Sequence, residues 1–299
     1  MNPIAGLLGV LAVVTAVFIG GWTRALKKSG QRVGFPNPWE LGVGYFTNFL
    51  DTLGIGSFAT TTAIFRFRKM VDDRVIPGTL NVGHFLATVA QTFIYTTLIE
   101  VDILTLFSLI AASVLGAWLG AGIVARWSKR HVQIGMGLAL LVAAIVFFMQ
   151  ARNLLPGGGA ELGVRGAKLA VAFVGNFMLG ALMSLGIGLY APCMIMISLL
   201  GMNPKAAFPI MMGSCAFLMP AGSMQFIREK SYNARAALGL AIGGVPAVLI
   251  AAYIVRELPL DIIRWLVIVV VTYTAVSMLL AARAEKKAAS GAVPAASVD

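Results

Sequence analysis

Long uncharged apolar segments restrict the fold of this chain more than any other feature. A bilayer core about 30 Å thick is crossed by roughly 20 apolar residues in a helix. The sequence has nine such stretches, at residues 3–23, 41–65, 78–98, 103–125, 132–150, 169–200, 206–227, 236–255 and 260–282. Because only 12% of the 299 residues are charged, they cannot cover a soluble fold of this size. The segments therefore predict an all-α polytopic membrane protein whose surface meets the lipid bilayer.

The net charge of +11 does not indicate a nucleic-acid partner, because the 23 Lys and Arg residues are spread in short groups between apolar runs. Short basic loops are typical of the cytoplasmic side of membrane proteins. In the first segment the charges Arg24, Lys27 and Lys28 follow the apolar run instead of preceding it. This order predicts a retained helix with its N-terminus outside, and not a cleaved signal peptide.

Charge placement also indicates that two segments do not cross the membrane. If all nine crossed, the inner side would carry 13 basic residues and the outer side 10. If residues 41–65 and 169–200 leave on the side where they enter, the division becomes 17 to 6. The positive-inside rule favours this second arrangement, which has seven spans, two re-entrant hairpins and a cytoplasmic C-terminus. Nine full spans with a parallel repeat are the alternative.

The two segments predicted as hairpins share a sequence repeat. Residues Leu53–Gly56 and Leu185–Gly188 both read Leu-Gly-Ile-Gly, at an offset of 132. The same offset gives nine identities over residues 44–85, among them Pro77 with Pro209. We therefore predict two duplicated units, each a glycine-broken hairpin followed by three transmembrane helices. Because three spans separate the hairpins, the units are inverted, a plan that secondary transporters use to place sites near the membrane midplane.

The repeat sets the predicted organisation of the chain. Its parts are an extra N-terminal transmembrane helix (1–28), a first repeat (40–151), a second repeat (166–283) and a disordered cytoplasmic tail (284–299).

A Gly-X-Gly turn inside a membrane favours an anion site. Glycine accepts positive φ angles, and non-helical backbone at membrane depth is tolerated where protein or a water-filled cavity surrounds it. The free N–H groups at the start of the second arm then lie at the positive end of a helix dipole. The alternative is that these glycines only allow helices to pack closely.

Cysteine and histidine spacing predicts neither a metal nor a cofactor. Cys193 and Cys215 lie in apolar stretches, and His84 and His131 are 47 residues apart. Neither pattern fits a disulfide framework or a metal site.

The broken segments resemble the TauE/SafE sulfite exporter family, also called the toluene-sulfonate uptake permeases. Members have two related halves, each with an LGIGGG-type break, a later Pro and a short Val-Asp-like turn. The matching residues are Leu53–Gly56, Pro77, Val101, Asp102, Leu185–Gly188, Pro192, Pro209, Tyr232, Asn233, Leu258 and Pro259. The resemblance covers about residues 40–283, and the sequence departs from it at Ser57, Phe58, Leu189 and Tyr190. It implies a multi-pass carrier of small sulfur-containing or carboxylate anions in a bacterial inner membrane.

Candidate site residues are polar or small side chains in and after the two breaks. The predicted substrate-binding residues are Asn48, Thr52, Gly54, Gly56, Ser57, Thr60, Thr61, Asn81, Ser184, Gly186, Gly188, Tyr190, Cys193 and Ser214. The predicted coupling or pathway residues are Asp51, His84, Thr88, Gln91 and Gln225. Buried ionisable groups in membrane helices are often functional, so Asp51 is expected to bind a coupling proton or Na⁺.

Each of these side chains also has a purely structural interpretation. Asp51 could be a hydrogen-bonded carboxyl with no transport role, and His84 a satisfied core histidine. Threonine hydroxyls in helices often bond back to a carbonyl four residues earlier. Buried cysteines more often pack than bind.

The pattern as a whole predicts a secondary transporter of small anions, with sulfite or organosulfonates such as sulfoacetate as substrates. Transport would proceed by alternating access coupled to protons or sodium. An anion channel and a small-carboxylate permease are alternatives within transport. An intramembrane enzyme is disfavoured because one Asp and two distant His supply little catalytic chemistry. Oligomeric state does not follow from the sequence.

Overall fold

The computed structural model of the chain describes residues 3–29, 33–72, 74–120, 129–152, 154, 159–183, 188–257 and 259–291. Within these ranges the chain is helical, apart from turns and one isolated parallel bridge between Glu161 and Met202.

Eleven α-helices follow one another along the described residues. They are α1 (Pro3–Ser29), α2 (Pro38–Thr52), α3 (Ser57–Phe67), α4 (Ile76–Leu98), α5 (Ile103–Leu115), α6 (Lys129–Ala151), α7 (Gly166–Met183), α8 (Tyr190–Leu199), α9 (Ala207–Arg228), α10 (Ala234–Glu257) and α11 (Leu260–Gly291). Helix α5 continues as a π-helical turn over Gly116–Gly120, and a 3₁₀ turn over Pro204–Ala206 precedes α9.

Five helical stretches in the described residues are long and apolar enough to cross a membrane. They are Pro3–Lys28, Gly166–Met183, Pro204–Arg228, Ala234–Ile254 and Ile268–Glu285. Helix α4, with 23 residues, is also long enough at about 1.5 Å per residue, but polar side chains interrupt its apolar surface. The all-α architecture predicted from the sequence is thus confirmed for the described residues, with five candidate membrane spans among them.

Helix α2 starts at a capping box. The Asn37 side chain accepts a hydrogen bond from the Glu40 N–H at 2.9 Å, while the Glu40 carboxylate accepts from the Asn37 N–H at 2.8 Å. Pro38 occupies the first turn, where its missing N–H has no helical partner to lose. The cap fixes where the first broken segment enters the fold.

Helices α2 and α3 form a hairpin. The Arg68 guanidinium, just after α3, lies 3.7 Å from the centre of the Trp39 ring near the start of α2. The two helices have 15 and 11 residues, which correspond to about 22 and 16 Å, so neither spans a bilayer core alone. The chain therefore leaves this hairpin at the end where it entered.

Helices α7 and α8 close in a similar way. The Lys168 ammonium, in the first turn of α7, donates to the Leu200 carbonyl just after α8 at 3.0 Å. The Asn203 N–H donates to the Glu161 carbonyl at 2.8 Å, so the flanking segments also meet. The 18-residue α7 is again followed by a shorter arm, the 10-residue α8.

The two hairpins open at opposite ends of α4. Near the Ile76 end, Arg235 pairs with Glu40 at 3.0 Å, and the Asn233 N–H donates to Thr79 Oγ1 at 2.9 Å. These contacts place the starts of α2, α4 and α10 together. Near the Leu98 end, the Asp102 N–H donates to the Leu162 carbonyl at 2.8 Å, which brings the approach to α7 beside the start of α5.

Glycines bring α2 against α10 and α5 against α7. A Cβ on Gly44 would lie 2.6 Å from the Gly239 carbonyl oxygen, and one on Gly243 would lie 2.1 Å from the Leu41 oxygen. On the other side, a Cβ on Gly180 would lie 2.0 Å from the Ser113 oxygen. In each pair, the first arm of one hairpin packs against a helix that follows the other hairpin: α2 against α10, and α7 against α5. Helices α4 and α9 pack between these pairs, and α6 packs on α11.

One boundary differs from the sequence prediction. Helix α11 continues to Gly291, so residues 284–291 of the predicted disordered tail are helical. The stretch from Arg283 to Ala289 is rich in Ala, Lys and Glu, which are strong helix formers, and this composition extends the helix past the apolar run. Residues 292–299 lie outside the described residues.

Candidate functional site

The first break turns the chain between α2 and α3 without a conventional cap. Gly54 and Gly56 have φ angles of 92° and 85°, a region that glycine enters without steric penalty. A Cβ on Gly54 would lie 2.7 Å from the Met194 Cε atom of α8. The N-cap residue of α3 is Gly56, which has no side chain to cap the helix. The position of a side-chain cap is instead taken by a carboxylate six residues before Ser57.

That carboxylate belongs to Asp51, which is 2% exposed. Its Oδ1 accepts the Ser57 N–H at 2.5 Å, and the Ser57 hydroxyl also bonds to the carboxylate. Its Oδ2 accepts from the Gln91 side-chain amide at 2.9 Å. All the hydrogen bonds found for Asp51 are with neutral groups, so its charge is balanced by donor dipoles and the N-terminus of α3.

Gln91 joins the two hairpins. Its Nε2 donates to Asp51 and, at 2.9 Å, to Thr52 Oγ1. Its Oε1 accepts from the Tyr190 hydroxyl at 3.2 Å, and Tyr190 is the first residue of α8. Both arms that follow a break therefore begin at one buried hydrogen-bonded cluster.

His84, on α4, forms a second cluster with Asn48 and Thr61 of the first hairpin. Asn48 Nδ2 donates to the Gly44 carbonyl at 2.7 Å, which leaves Asn48 Oδ1 to accept from His84 Nδ1 at 3.0 Å. His84 Nε2 is then free to accept from the Thr61 hydroxyl, also at 3.0 Å. This assignment gives a neutral imidazole with both ring nitrogens partnered. The structural interpretation of His84 as a satisfied core histidine therefore fits this geometry.

Three of the four predicted threonine hydroxyls donate to carbonyls of their own helix. Thr52 donates to the Asn48 carbonyl at 2.7 Å, Thr60 to the Ser57 carbonyl at 2.9 Å and Thr88 to the His84 carbonyl at 3.1 Å. Such back-bonding leaves oxygen lone pairs, and not O–H groups, facing outward. A bound anion would therefore have to draw its donors from backbone N–H groups or from hydroxyls that change partner.

The structure adds Asn176 to the candidate set. Its Nδ2 donates to the Leu109 carbonyl of α5 at 2.6 Å and to Ser214 Oγ of α9 at 3.1 Å, and its buried Oδ1 has no partner among the described residues. Asn48 makes the matching contacts in the first hairpin, to Leu240 of α10 and His84 of α4. An Asn in the apolar arm before the second break was the signal that could have identified it.

The remaining predicted residues are less closely connected to the cluster. Gln225 is exposed and donates to Glu229 at 3.0 Å, and Asn81 donates to the Pro77 carbonyl of its own helix. Cys193 is fully buried, and Gly188 is exposed. Ser184 and Gly186 lie outside the described residues, so the second break itself is not described.

An ion pair lies at the open end of each hairpin. At the Leu98 end the Arg165 guanidinium binds Asp102 through both carboxylate oxygens, and Asp102 also caps α5 by accepting the Thr105 N–H at 2.8 Å. These bonds, led by those from Arg165, hold the pKa of Asp102 below its usual range. At the Ile76 end the pair is Glu40 with Arg235. Here the acidic residue belongs to the hairpin, whereas at the Leu98 end the basic residue, Arg165, directly precedes the hairpin.

Among the described residues, no group of three or more His, Cys, Asp or Glu side chains could hold a metal ion. The described side chains of the site are one carboxylate, one imidazole, amides and hydroxyls, together with backbone N–H groups.

Comparison with known proteins identifies the family. A family model described as sulfite exporter TauE/SafE matches residues 2–147 and 168–298. The chain belongs to the TauE/SafE sulfite exporter family. The match includes α1, which the resemblance seen in the sequence left outside. Neither the search of curated proteins nor that of solved structures found a match. Membership of this family implies that the protein is a membrane transporter of sulfite or related anions.

Proposed function

We propose that the protein is a secondary transporter of small anions, with sulfite and organosulfonates such as sulfoacetate as substrates and with proton or sodium coupling. The observation that carries this proposal is the buried Asp51 at the glycine break, hydrogen-bonded to Ser57 of one arm and linked through Gln91 to Tyr190 of the other. A titratable group at the meeting point of both hairpins can bind a cation where an anion would also bind.

The packing supports an inverted repeat. One hairpin opens at the Ile76 end and the other at the Leu98 end, while α2 packs on α10 and α7 packs on α5. An inverted pair of units produces this crossed pattern, because each first arm then lies beside the other unit's second helix after its hairpin. Both breaks would then lie near the membrane midplane, where carriers of this plan bind substrate.

Charge placement supports the orientation. Basic residues at the Ile76 end include Lys27, Lys28, Arg68, Lys69, Arg74, Arg228, Lys230 and Arg235. The Leu98 end has fewer basic residues, among them Arg165, Lys168 and Lys205, while acidic residues occur at both ends, such as Glu40 and Asp72 at one and Asp102 and Glu161 at the other. By the positive-inside rule the Ile76 end faces the cytoplasm of a bacterial inner membrane, which puts the N-terminus outside and the C-terminus inside.

Uptake into proteoliposomes tests the function. The purified protein would be reconstituted and offered sulfite, sulfoacetate, taurine, sulfate and small carboxylates, with and without an imposed proton or sodium gradient. We expect at least one sulfur oxyanion to move, and a gradient to accelerate it. If no anion of the panel moves or competes, the proposed function is wrong.

The role of Asp51 is tested in the same assay. Asp51→Asn removes the titratable group while keeping its shape, so gradient stimulation should disappear although downhill exchange persists. The matched control is Asp72→Asn, since Asp72 is an exposed acid after the same hairpin whose described contact is the Arg74 N–H. Unaltered gradient stimulation in Asp51→Asn would exclude Asp51 from coupling.

A further inference from the structure

The amide of Gln91 has only one orientation compatible with an ionised Asp51. A carboxylate accepts hydrogen bonds and cannot donate, so the Gln91 nitrogen must face Asp51 Oδ2, as it does at 2.9 Å. The Gln91 oxygen then faces the other way and accepts the Tyr190 hydroxyl proton. Asp51 is itself within hydrogen-bond reach of Tyr190. The Tyr190 O–H is thus held by acceptors while Asp51 is charged.

A proton added to Asp51 would reverse these bonds. Because Oδ1 already accepts the Ser57 N–H, the proton goes to Oδ2, which faces Gln91. Oδ2 then carries an O–H donor opposite an N–H donor, and the conflict is removed when the Gln91 amide turns its oxygen toward Asp51. Thr52 can follow by rotating its hydroxyl from the Asn48 carbonyl toward that oxygen. After the turn, Gln91 Nε2 donates to the Tyr190 oxygen.

We propose that Gln91 is the positioning residue of a relay in which protonation of Asp51 releases the Tyr190 hydroxyl to donate to an anion. The step adds one proton to a carboxylate and breaks no covalent bond. It rests on the proposed function and gives it a direction: the anion binds with the proton, because its donor at the start of α8 is free only when Asp51 is neutral. Oxyanions with several acceptor oxygens are the ligand class that this donor and the α3 N-terminus would bind.

The groups that face Asp51 come from four elements. They are Ser57 of α3, Gln91 and Tyr95 of α4, Tyr190 of α8 and Cys215 of α9. None of these is charged at neutral pH, so the relay depends on the proton of Asp51. Tyr95 supplies a matched control, because its buried hydroxyl donates to the Thr52 carbonyl at 2.9 Å and not to Gln91.

The test measures binding of methanesulfonate, a probe whose charge does not change between pH 5 and 9, by the protection that it gives against thermal unfolding in detergent. In the wild-type protein, Tyr190→Phe should weaken binding roughly tenfold at low pH, the factor for one hydrogen bond to a charged group, and less than about twofold at high pH. In the Asp51→Asn background the same change should weaken it roughly tenfold at every pH. The control variant Tyr95→Phe should change the affinity for methanesulfonate by one factor that does not depend on pH.

Gln91→Met tests the relay at its centre. It removes both Gln91 bonds at similar volume and leaves only the direct approach of Asp51 to Tyr190, so the pH dependence of the Tyr190→Phe effect should become clearly smaller. Gln91→Glu, whose side chain can only accept when it is ionised, should not restore that pH dependence. A Tyr190→Phe effect that is equal at low and high pH in the wild-type background would overturn the relay even if transport is established.

A measurement without anion separates the relay from the proposed function. Melting temperatures of Asp51→Asn, Tyr190→Phe and the double variant should be non-additive, and the non-additivity should become clearly smaller when Gln91→Met is also present. If no anion binds but this non-additivity is found, the relay stands and the transport proposal fails. If anions are transported but the melting effects are additive in the wild-type background, the relay is wrong and the transport proposal stands.

Discussion

Replacing Gly44 by Ala tests the close approach of α2 to α10, on which the placement of the first hairpin depends. A Cβ at this position would lie 2.6 Å from the Gly239 carbonyl oxygen and 2.7 Å from the Leu240 Cα atom. Both are backbone atoms, so no side chain can rotate away. Ordinary contact begins at 3.4 Å, and the helices must therefore separate by about 0.8 Å.

The expected cost follows from two opposing effects. Overpacking a close contact costs about 1–3 kcal/mol, and a rigid backbone contact belongs at the upper end. Ala in place of Gly in a helix recovers about 1 kcal/mol. The net destabilisation of Gly44→Ala should then be about 2 kcal/mol. The separation would also break the 3.4 Å bond from Asn48 to the Leu240 carbonyl, and Asn48 holds His84.

Two matched variants isolate the contact. Gly42, on the same helix, has nothing within 4 Å of its Cβ position, so Gly42→Ala should stabilise the protein by up to about 1 kcal/mol. Gly21→Ala would meet only the flexible end of Met224 at 3.0 Å and should be nearly neutral.

The assay is thermal unfolding in detergent, followed by intrinsic fluorescence. A difference of about 3 kcal/mol between Gly44→Ala and Gly42→Ala corresponds to roughly 6–12 °C on the scale of soluble domains of this size. If the two variants melt within about 2 °C of each other, α2 and α10 do not approach as the structure places them, and the crossed packing loses its main support.

Three further predictions address topology, the ion pair between Asp102 and Arg165, and the second hairpin. In a cysteine-free background, cysteine at Lys69 should react with an impermeant thiol reagent only from the cytoplasmic side and cysteine at Lys205 only from outside; the same side for both would contradict the hairpin arrangement. Asp102→Asn should keep the α5 cap and lower stability by less than about 1 kcal/mol, whereas Asp102→Ala should lose about 1 kcal/mol more, as melting curves would show. Because the pKa of Asp102 is lowered in the fold, the contribution of Asp102 to stability is present at neutral pH and is lost as pH falls below about 4 toward the folded-state pKa. If the melting temperature of Asp102→Asn depends on pH as strongly as that of the wild type, this assignment is wrong. Asn176→Ala should destabilise by about 1–3 kcal/mol, since it leaves the buried Leu109 carbonyl and Ser214 hydroxyl without this donor; a change below about 0.5 kcal/mol, measured by the same unfolding, would show that these bonds are absent.

The turn between α2 and α3 could be predicted from the sequence because charge placement and a glycine break point to the same segment. Basic residues occur both before the first broken segment, which ends at Phe67, and after it, as expected if the chain enters and leaves on the same side. A pair of glycines interrupts this segment and the second one. The buried face of α4 was also predictable, since His84, Thr88 and Gln91 recur at helical spacing and all three are buried. Asn81 departs from this set because it lies in the first turns of α4, where its amide finds the Pro77 carbonyl.

The partners of these residues could not be predicted, because they depend on which helices lie side by side. At the offset of 132, Gly44 aligns with Asn176 and Asn48 with Gly180, so the asparagine and the glycine exchange places between the two arms. In the structure each asparagine reaches the backbone of the crossing helix, and each glycine lies where that helix comes closest. An ungapped repeat conceals this equivalence.

The two hairpins share a scaffold but differ in chemistry, and the difference follows from the cost of burying charge. A buried carboxylate is tolerated only where several donors surround it. At the offset of 132, Asp51 corresponds to Met183 and Gln91 to Ser223. Met183 has the Cys215 thiol 3.7 Å from its sulfur, and a thiol is a weak donor. Among the described residues the buried carboxylate therefore lies in the first hairpin alone, and the second hairpin contributes Tyr190 to the same cluster.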